Sequence, residues 1–283
     1  MNCLLLYSND SGNKDFYSLL PEIQNRLSKH YDVLDVVCPK SKEEAFSLIE
    51  SSCGHYHSLV VAGGDGTFNN AISALVGKKD APIIGYINNG TMGDCGKNFG
   101  VNSKLSKALE IIEKGNFKEF DIGECNGHYF SYMAAIGCFS DISYIVPRGV
   151  KKKFGKLAYY KEAIVQAFHK QNITVEVNVD SKTYKMKTPF LLIMNGKNVG
   201  GFPVNSKGNS HDGKMEVFIT KPGLFNGLIH YFFHLGVTKI SSSSFTIKAS
   251  DTDMPWCLDG EIGPFGDASF MTHPAAIRVF TKL

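Results

Sequence analysis

Two turns in the first hundred residues carry the residue types that phosphate chemistry needs. Gly63-Gly64-Asp65-Gly66-Thr67 follows the apolar run Leu59–Ala62 and precedes a helical pattern that begins near Phe68. Glycines at a strand-to-helix turn let the backbone approach a ligand without interference from Cβ atoms. The helix N-terminus adds N–H donors and the positive end of a dipole, which suits phosphate. Asp65 would repel a bare phosphate, so its presence predicts a magnesium ion or a water shell between them. After the run ending at Ile87 comes Asn88-Asn89-Gly90-Thr91-Met92-Gly93-Asp94, again with glycine, hydroxyl and carboxylate together. Neither turn is a GxGxxG dinucleotide site, and neither ends in the GK[ST] of a Walker A loop. Two more carboxylates stand in Asp-Gly pairs, Asp212-Gly213 and Asp259-Gly260, the latter followed by Glu261. By itself an Asp-Gly pair is a common hairpin signal.

The elements around these turns fall into two rhythms. Up to about residue 120, apolar strands (Cys3–Tyr7, Val33–Val37, Leu59–Ala62, Ile83–Ile87) alternate with amphipathic helices. Phe16, Leu20, Ile23 and Leu27 mark one helix, Ser41–Glu50 a second, and Ser103–Lys114 another that stops at Gly115. Such alternation predicts an α/β domain with a parallel sheet whose ligands sit at the carboxyl ends of the strands. From residue 121 onward the pattern is mostly β. Ile173, Val175, Val177 and Val179 alternate with polar residues, and Phe190–Met194, Met215–Thr220, Phe245–Ala249 and Ile277–Thr281 follow as further strands. Helices are predicted at Phe154–His169 and Leu224–Leu235. The second domain, 121–283, therefore reads as sandwich-like, with a last strand that could return to the first domain, 1–120.

Bulk properties exclude several classes. A net charge of +3 is too small for a nucleic-acid binder. Seven scattered cysteines, never spaced CxxC, argue against a disulfide framework or zinc site and for a reducing compartment. The N-terminal residues lack the pattern of a signal peptide, and no run of about 18 apolar residues is present. The reading is a cytoplasmic protein.

The ordered set of motifs resembles the diacylglycerol kinase catalytic domain family, which includes bacterial lipid kinases and sphingosine and ceramide kinases. "VVAGGDGTFNNAI" resembles its nucleotide loop, "NNGTMGDCGKNFGV" its second turn, "HDGKMEVFIT" a magnesium-linked loop and "CLDGEIG" its catalytic turn. The resemblance implies an ATP-dependent kinase acting on a lipid hydroxyl, with diacylglycerol or a related lipid as acceptor and Mg²⁺ as cofactor. It implies nucleotide contacts from Gly63, Gly64, Asp65, Gly66, Thr67, Asn69, Asn70, Thr91 and Asp94, with Glu261 beside the nucleotide. Ser11 and Gly12 match a further phosphate loop. Asp259 falls at the position of the proton acceptor. Asp212, flanked by the carbonyls of Asn209 and Lys214, falls at a structural magnesium site. The family's usual Asn-Pro-x-Ser-Gly is here Ser8-Asn9-Asp10-Ser11-Gly12, Asn70 replaces a glutamate, and Gly93 replaces an asparagine. The carboxylates Asp65, Asp94, Asp121, Asp259 and Glu261 are expected to crowd one cleft, compensated by Mg²⁺ or lysines. A lipid acceptor implies peripheral contact with a membrane, for which the Lys151–Lys153 run is the candidate. Two alternatives stay open: a soluble-substrate kinase resembling NAD kinases, and an inactive nucleotide- or lipid-binding relative.

Overall fold

A computed structural model describes residues 1–8, 16–90, 93–101, 104–137, 172–222, 237–250 and 253–282. Ser11, Gly12, Thr91, Lys151–Lys153 and both helices predicted after residue 150 lie outside the described residues. The chain divides into two compact units, one of Met1–Phe120 with Ala275–Leu283, the other of Asp121–Pro274.

The first unit is built on strands β1 (Asn2–Tyr7), β2 (Val33–Val37), β3 (Ser58–Gly63) and β4 (Ile83–Asn88), all parallel in the order β2-β1-β3-β4. Every residue of β3 is buried, as expected of a central parallel strand covered on both faces. Helices α1 (Leu20–Leu27), α2 (Lys42–Ser51), α3 (Asp65–Leu75), α4 (Asp94–Asn98) and α5 (Leu105–Lys114) complete the alternation. Ser41 caps α2 by accepting the Glu44 N–H at 3.2 Å. The helix α5 stops at Gly115, whose φ of +70° is the left-handed conformation that glycine tolerates. Ile23 and Leu27 of α1 and Leu109 and Ile112 of α5 pack with Leu5, Val60 and Ala62 of the sheet. Elsewhere in this unit Phe68 stacks on Tyr86 at 4.3 Å, with Phe99 and Phe120 edge-on in succession. Phe68 lies one residue past the first glycine turn and Tyr86 two residues before Asn88. This aromatic row therefore ties the bases of the two turns together, each fully buried ring contributing roughly 1.5–3 kcal/mol.

The second unit is antiparallel. The strands are β5 (Phe117–Cys125), which enters from the first unit, β6 (His128–Phe130), β7 (Met133–Gly137), β8 (Ile173–Val179), β9 (Lys182–Thr188), β10 (Phe190–Met194) and β11 (Met215–Thr220). They continue with β12 (Val237–Ser242), β13 (Ser244–Ala249), β14 (Pro255–Leu258), β15 (Glu261–Phe265) and β16 (Ala268–Phe280). One sheet runs β12-β11-β10-β7-β14-β15. In the other, β13 lies between β8 and the first part of β16, and β9 pairs with β8. Inward residues of both, among them Val175, Val177, Ile193, Val217, Ile247 and Trp256, form one core. The strand predicted at Ile277–Thr281 is the end of the longer β16. Its Val279 pairs in parallel with Ile84 of β4, so the chain does return to the first sheet.

Candidate active site

The glycine turns of the first unit interlock. Gly63 ends β3 and Gly64 is the extended N-cap of α3, which begins at Asp65, three residues earlier than the sequence pattern indicated. Asp65, Gly66 and Thr67 are thus the first helical turn, not a loop. The Asn89 N–H donates to Gly63 O at 2.8 Å, and the Gly90 N–H to Asn88 Oδ1 at 2.8 Å. A Cβ on Gly90 would sit 2.8 Å from Gly64 Cα, so these two backbones touch only because residue 90 has no side chain. Gly93 has a φ of +65°, and a Cβ there would collide with the Asn88 amide at 2.2 Å.

Asp65 does not point outward. Its carboxylate accepts the N–H groups of Asp94 and Cys95, each at 3.2 Å, at the start of α4. The Tyr86 hydroxyl lies 3.4 Å from the same carboxylate and 3.1 Å from Asn88 Oδ1. Burial raises the Asp65 pKa, Asp94 raises it further, and the backbone donors offset part of the rise. Asp65 is therefore a brace between the two turns, where the sequence suggested a ligand for metal or water. Asp94 is 2% exposed and pairs with Lys97 at 3.1 Å, so a lysine supplies local compensation. Asn69 Oδ1 is buried with no hydrogen-bond partner among the described residues. Asn70 is half-buried on the same helix.

In the second unit Asp259 and Gly260 form a two-residue hairpin turn between the paired Leu258 and Glu261, with φ of +50° and +90°. Glu261 is exposed at the head of β15. The sequence marked Asp259-Gly260 as an Asp-Gly hairpin signal. In the structure the turn is fixed and its carboxylate faces inward, 7% exposed. Oδ1 accepts the N–H groups of Tyr132 and Met133, each at 3.0 Å; Oδ2 accepts the N–H of Ser131 and, at 2.7 Å, its hydroxyl. The Asp259 N–H donates back to Met133 O at 2.9 Å. Burial outweighs these donors and pushes the Asp259 pKa up to about 6.

Asp121, 2% exposed, organises the loop that contains Asp212. Its N–H donates to Ser210 O at 2.8 Å, and its Oδ2 accepts the Gly213 N–H at 2.7 Å. Asp212 is exposed and accepts the Lys214 N–H at 3.1 Å; Asn209 and Lys214 are exposed beside it. Among the described residues no group of three or more His, Cys, Asp or Glu side chains could hold a metal. The donors this loop does offer are oxygens, the type that suits a hard cation rather than zinc. Asn195, which sequence reasoning missed, links the two parts of this unit. Its amide nitrogen donates to Asp121 O at 2.6 Å and to Ser131 O at 3.0 Å. The signal available for it was the Asn-Gly pair directly after the apolar run Phe190–Met194.

The model of the diacylglycerol kinase catalytic domain matches residues 2–125. The matched segment contains both glycine turns and ends in β5. The diacylglycerol kinase of Staphylococcus epidermidis is 26% identical over 98% of this chain and 91% of its own length. That of Bacillus subtilis is 26% identical over 77% of this chain and 73% of its own. A crystal structure of a diacylglycerol kinase from Bacillus anthracis superimposes with a TM-score of 0.84 at 20% identity, covering 99% of this chain and 97% of its own. At that identity the superposition establishes the α/β and β-rich fold alone.

Proposed function

We propose that the protein is an ATP-dependent lipid kinase that transfers the γ-phosphoryl group to a lipid hydroxyl, with diacylglycerol or a related lipid as acceptor. The observation that carries this reading is the buried Asp259 carboxylate, whose pKa near 6 suits a general base at neutral pH. The names of the relatives support the lipid class of the acceptor.

In this mechanism Gly63, Gly64, Asp65, Gly66 and Thr67 offer backbone N–H groups to the ATP phosphates, together with Thr91, Ser11 and Gly12. Asn69, Asn70, Asp94 and Glu261 are assigned to the same nucleotide. Asp259 takes the proton of the acceptor hydroxyl as its oxygen bonds to the γ-phosphorus and the bond from that phosphorus to the β-phosphate oxygen breaks, releasing ADP. Asp212 and the carbonyls of Asn209 and Lys214 would hold Mg²⁺, which when bound supplies positive charge to that loop. No helix among the described residues is long and apolar enough to cross a membrane. A lipid acceptor would then be met at a bilayer surface on the side where ATP is available, with Lys151–Lys153 as contact to anionic headgroups.

The test supplies labelled ATP, Mg²⁺ and a panel of lipids in mixed micelles, with NAD as a soluble control. Label is expected in a lipid and absent from NAD; the reverse pattern would replace this reading with that of a soluble-substrate kinase. Asp259→Asn is expected to lower kcat by roughly 10²–10⁴ with little change in ATP affinity. Near-normal turnover in that variant would move the base elsewhere.

A further inference from the structure

The Asp259 carboxylate has a feature that a base must overcome. Two oxygens offer about four lone-pair directions, and four donors occupy them: three backbone N–H groups and the Ser131 hydroxyl. The backbone donors are consecutive in the corner between β6 and β7, and that corner is fixed from several sides. Asn195 donates from its amide to Ser131 O and from its N–H to Tyr132 O, each at 3.0 Å, while Asp259 itself donates to Met133 O. None of the three can leave without moving the corner. The hydroxyl can leave by rotation about a single bond.

We propose that Ser131 is a positioning residue for the Asp259 base, holding Oδ2 in the resting protein and yielding that lone pair to the incoming acceptor hydroxyl. This rests on the lipid kinase reading above. It gives Ser131 two measurable effects. The hydroxyl stabilises the charged carboxylate, so it keeps Asp259 ionised at lower pH than burial alone would allow. It also fixes which oxygen becomes available. The other ionisable groups on the elements packed around Asp259 are Tyr132 in the corner, His128 and Tyr129 on β6, Cys257 on β14, Glu261 on β15 and, through Asn195, Asp121 on β5. The leading causes acting on Asp259 are burial, which raises its pKa, and the four donors, which lower it.

The test is the pH profile of kcat/KM for the lipid acceptor that the panel identifies, which reports the free enzyme, in wild type, Ser131→Ala and Ser131→Thr. In Ser131→Ala the acid limb is expected to move upward by about one pH unit, a tenfold change in the ionisation constant, matching the loss of one charge-assisted donor. Ser131→Thr, which keeps the hydroxyl, restores the limb. The KM for ATP stays the same in both. A merely structural role would lower the plateau and the melting temperature without moving the limb, and an unmoved limb in Ser131→Ala overturns the proposal. Should the alanine variant not fold, Ser131→Cys, a weaker donor of similar size, is expected to shift the limb in the same direction, and its failure to do so is equally decisive. Asp259→Asn run in parallel separates the two ideas. If it retains turnover, the base assignment fails; if it is inactive while the limb stays put, only the role of Ser131 fails.

Discussion

Replacing Asp65 by alanine should loosen the second glycine turn more than it disturbs the first. The carboxylate is the acceptor for two N–H groups of α4 that no intrahelical carbonyl can satisfy, those of Asp94 and Cys95. Hydrogen bonds to a charged group are worth about 1.5–3 kcal/mol each. Against them stand the desolvation of Asp65 and its repulsion by Asp94, the two causes that raise its pKa. The difference should be a net loss of about 2–3 kcal/mol, within the range for breaking a buried hydrogen-bond network. Asp65→Asn keeps one acceptor oxygen and removes the charge, but turns an NH₂ group toward the other backbone donor. Its loss should be smaller, about 1 kcal/mol. With two units in the chain a global melting curve would blur this effect. The better readout is amide hydrogen exchange at Cys95 and its neighbours in α4, which reports local opening directly. Exchange there should accelerate by roughly 30–100-fold in Asp65→Ala, the equivalent of that free-energy loss at about 1.4 kcal/mol per decade. Unchanged exchange at Cys95 in a folded Asp65→Ala variant would refute the brace.

Two further expectations follow from the same geometry. Gly90→Ala places a methyl group 2.8 Å from Gly64 Cα, so the turns must part; ATP affinity by calorimetry should fall at least tenfold, and an unaltered affinity would detach these turns from the nucleotide. Asp259 has a folded pKa of about 6 against an ordinary 3.8, so the folded protein holds this proton more tightly than the unfolded chain does. Its ionisation therefore opposes folding above pH 6, and the penalty is relieved as the pH falls through 6 toward 4. The stability of wild type relative to Asp259→Asn should rise by up to about 2–3 kcal/mol between pH 7 and 4.5, measured by urea denaturation; parallel pH curves would contradict it.

Apolar strands and helical periodicity made the architecture readable, because a parallel strand covered on both faces must be apolar throughout and β3 is. The antiparallel alternation of β8 was equally plain, since one of its faces is buried and the other is not. What escaped the sequence is long-range. The Asp65 carboxylate meets partners 29 and 30 residues away, and Asp259 meets Ser131 across 128 residues. No local pattern records either pairing. The inward turn of both carboxylates onto backbone donors was therefore not legible. Three local signals were nearer to hand. Gly-Gly-Asp-Gly looked like a loop, although Gly64, extended and without a side-chain acceptor, can stand at the N-cap of a helix. The Asn126-Gly127 pair was a legible hairpin signal for β5 and β6, both residues having the positive φ such turns require. His273-Pro274 interrupted the apolar rhythm and hid the first half of β16.

The β16 strand also bears on how the protein is made. Residues 275–283 belong to the first unit, and Val279, fully buried, closes the parallel sheet beside β4. The polypeptide that forms the whole second unit is therefore synthesised while that sheet still lacks its neighbour. At roughly 5–20 residues per second, translating residues 121–283 takes on the order of 10–30 s. During that interval β4 presents an unpaired edge to the crowded surroundings of the ribosome, the kind of edge that invites pairing with a foreign strand. The nascent chain is thus most exposed to misassembly through Ile83–Asn88, and a chaperone that shields this strand until Val279 arrives would act at the point of greatest need.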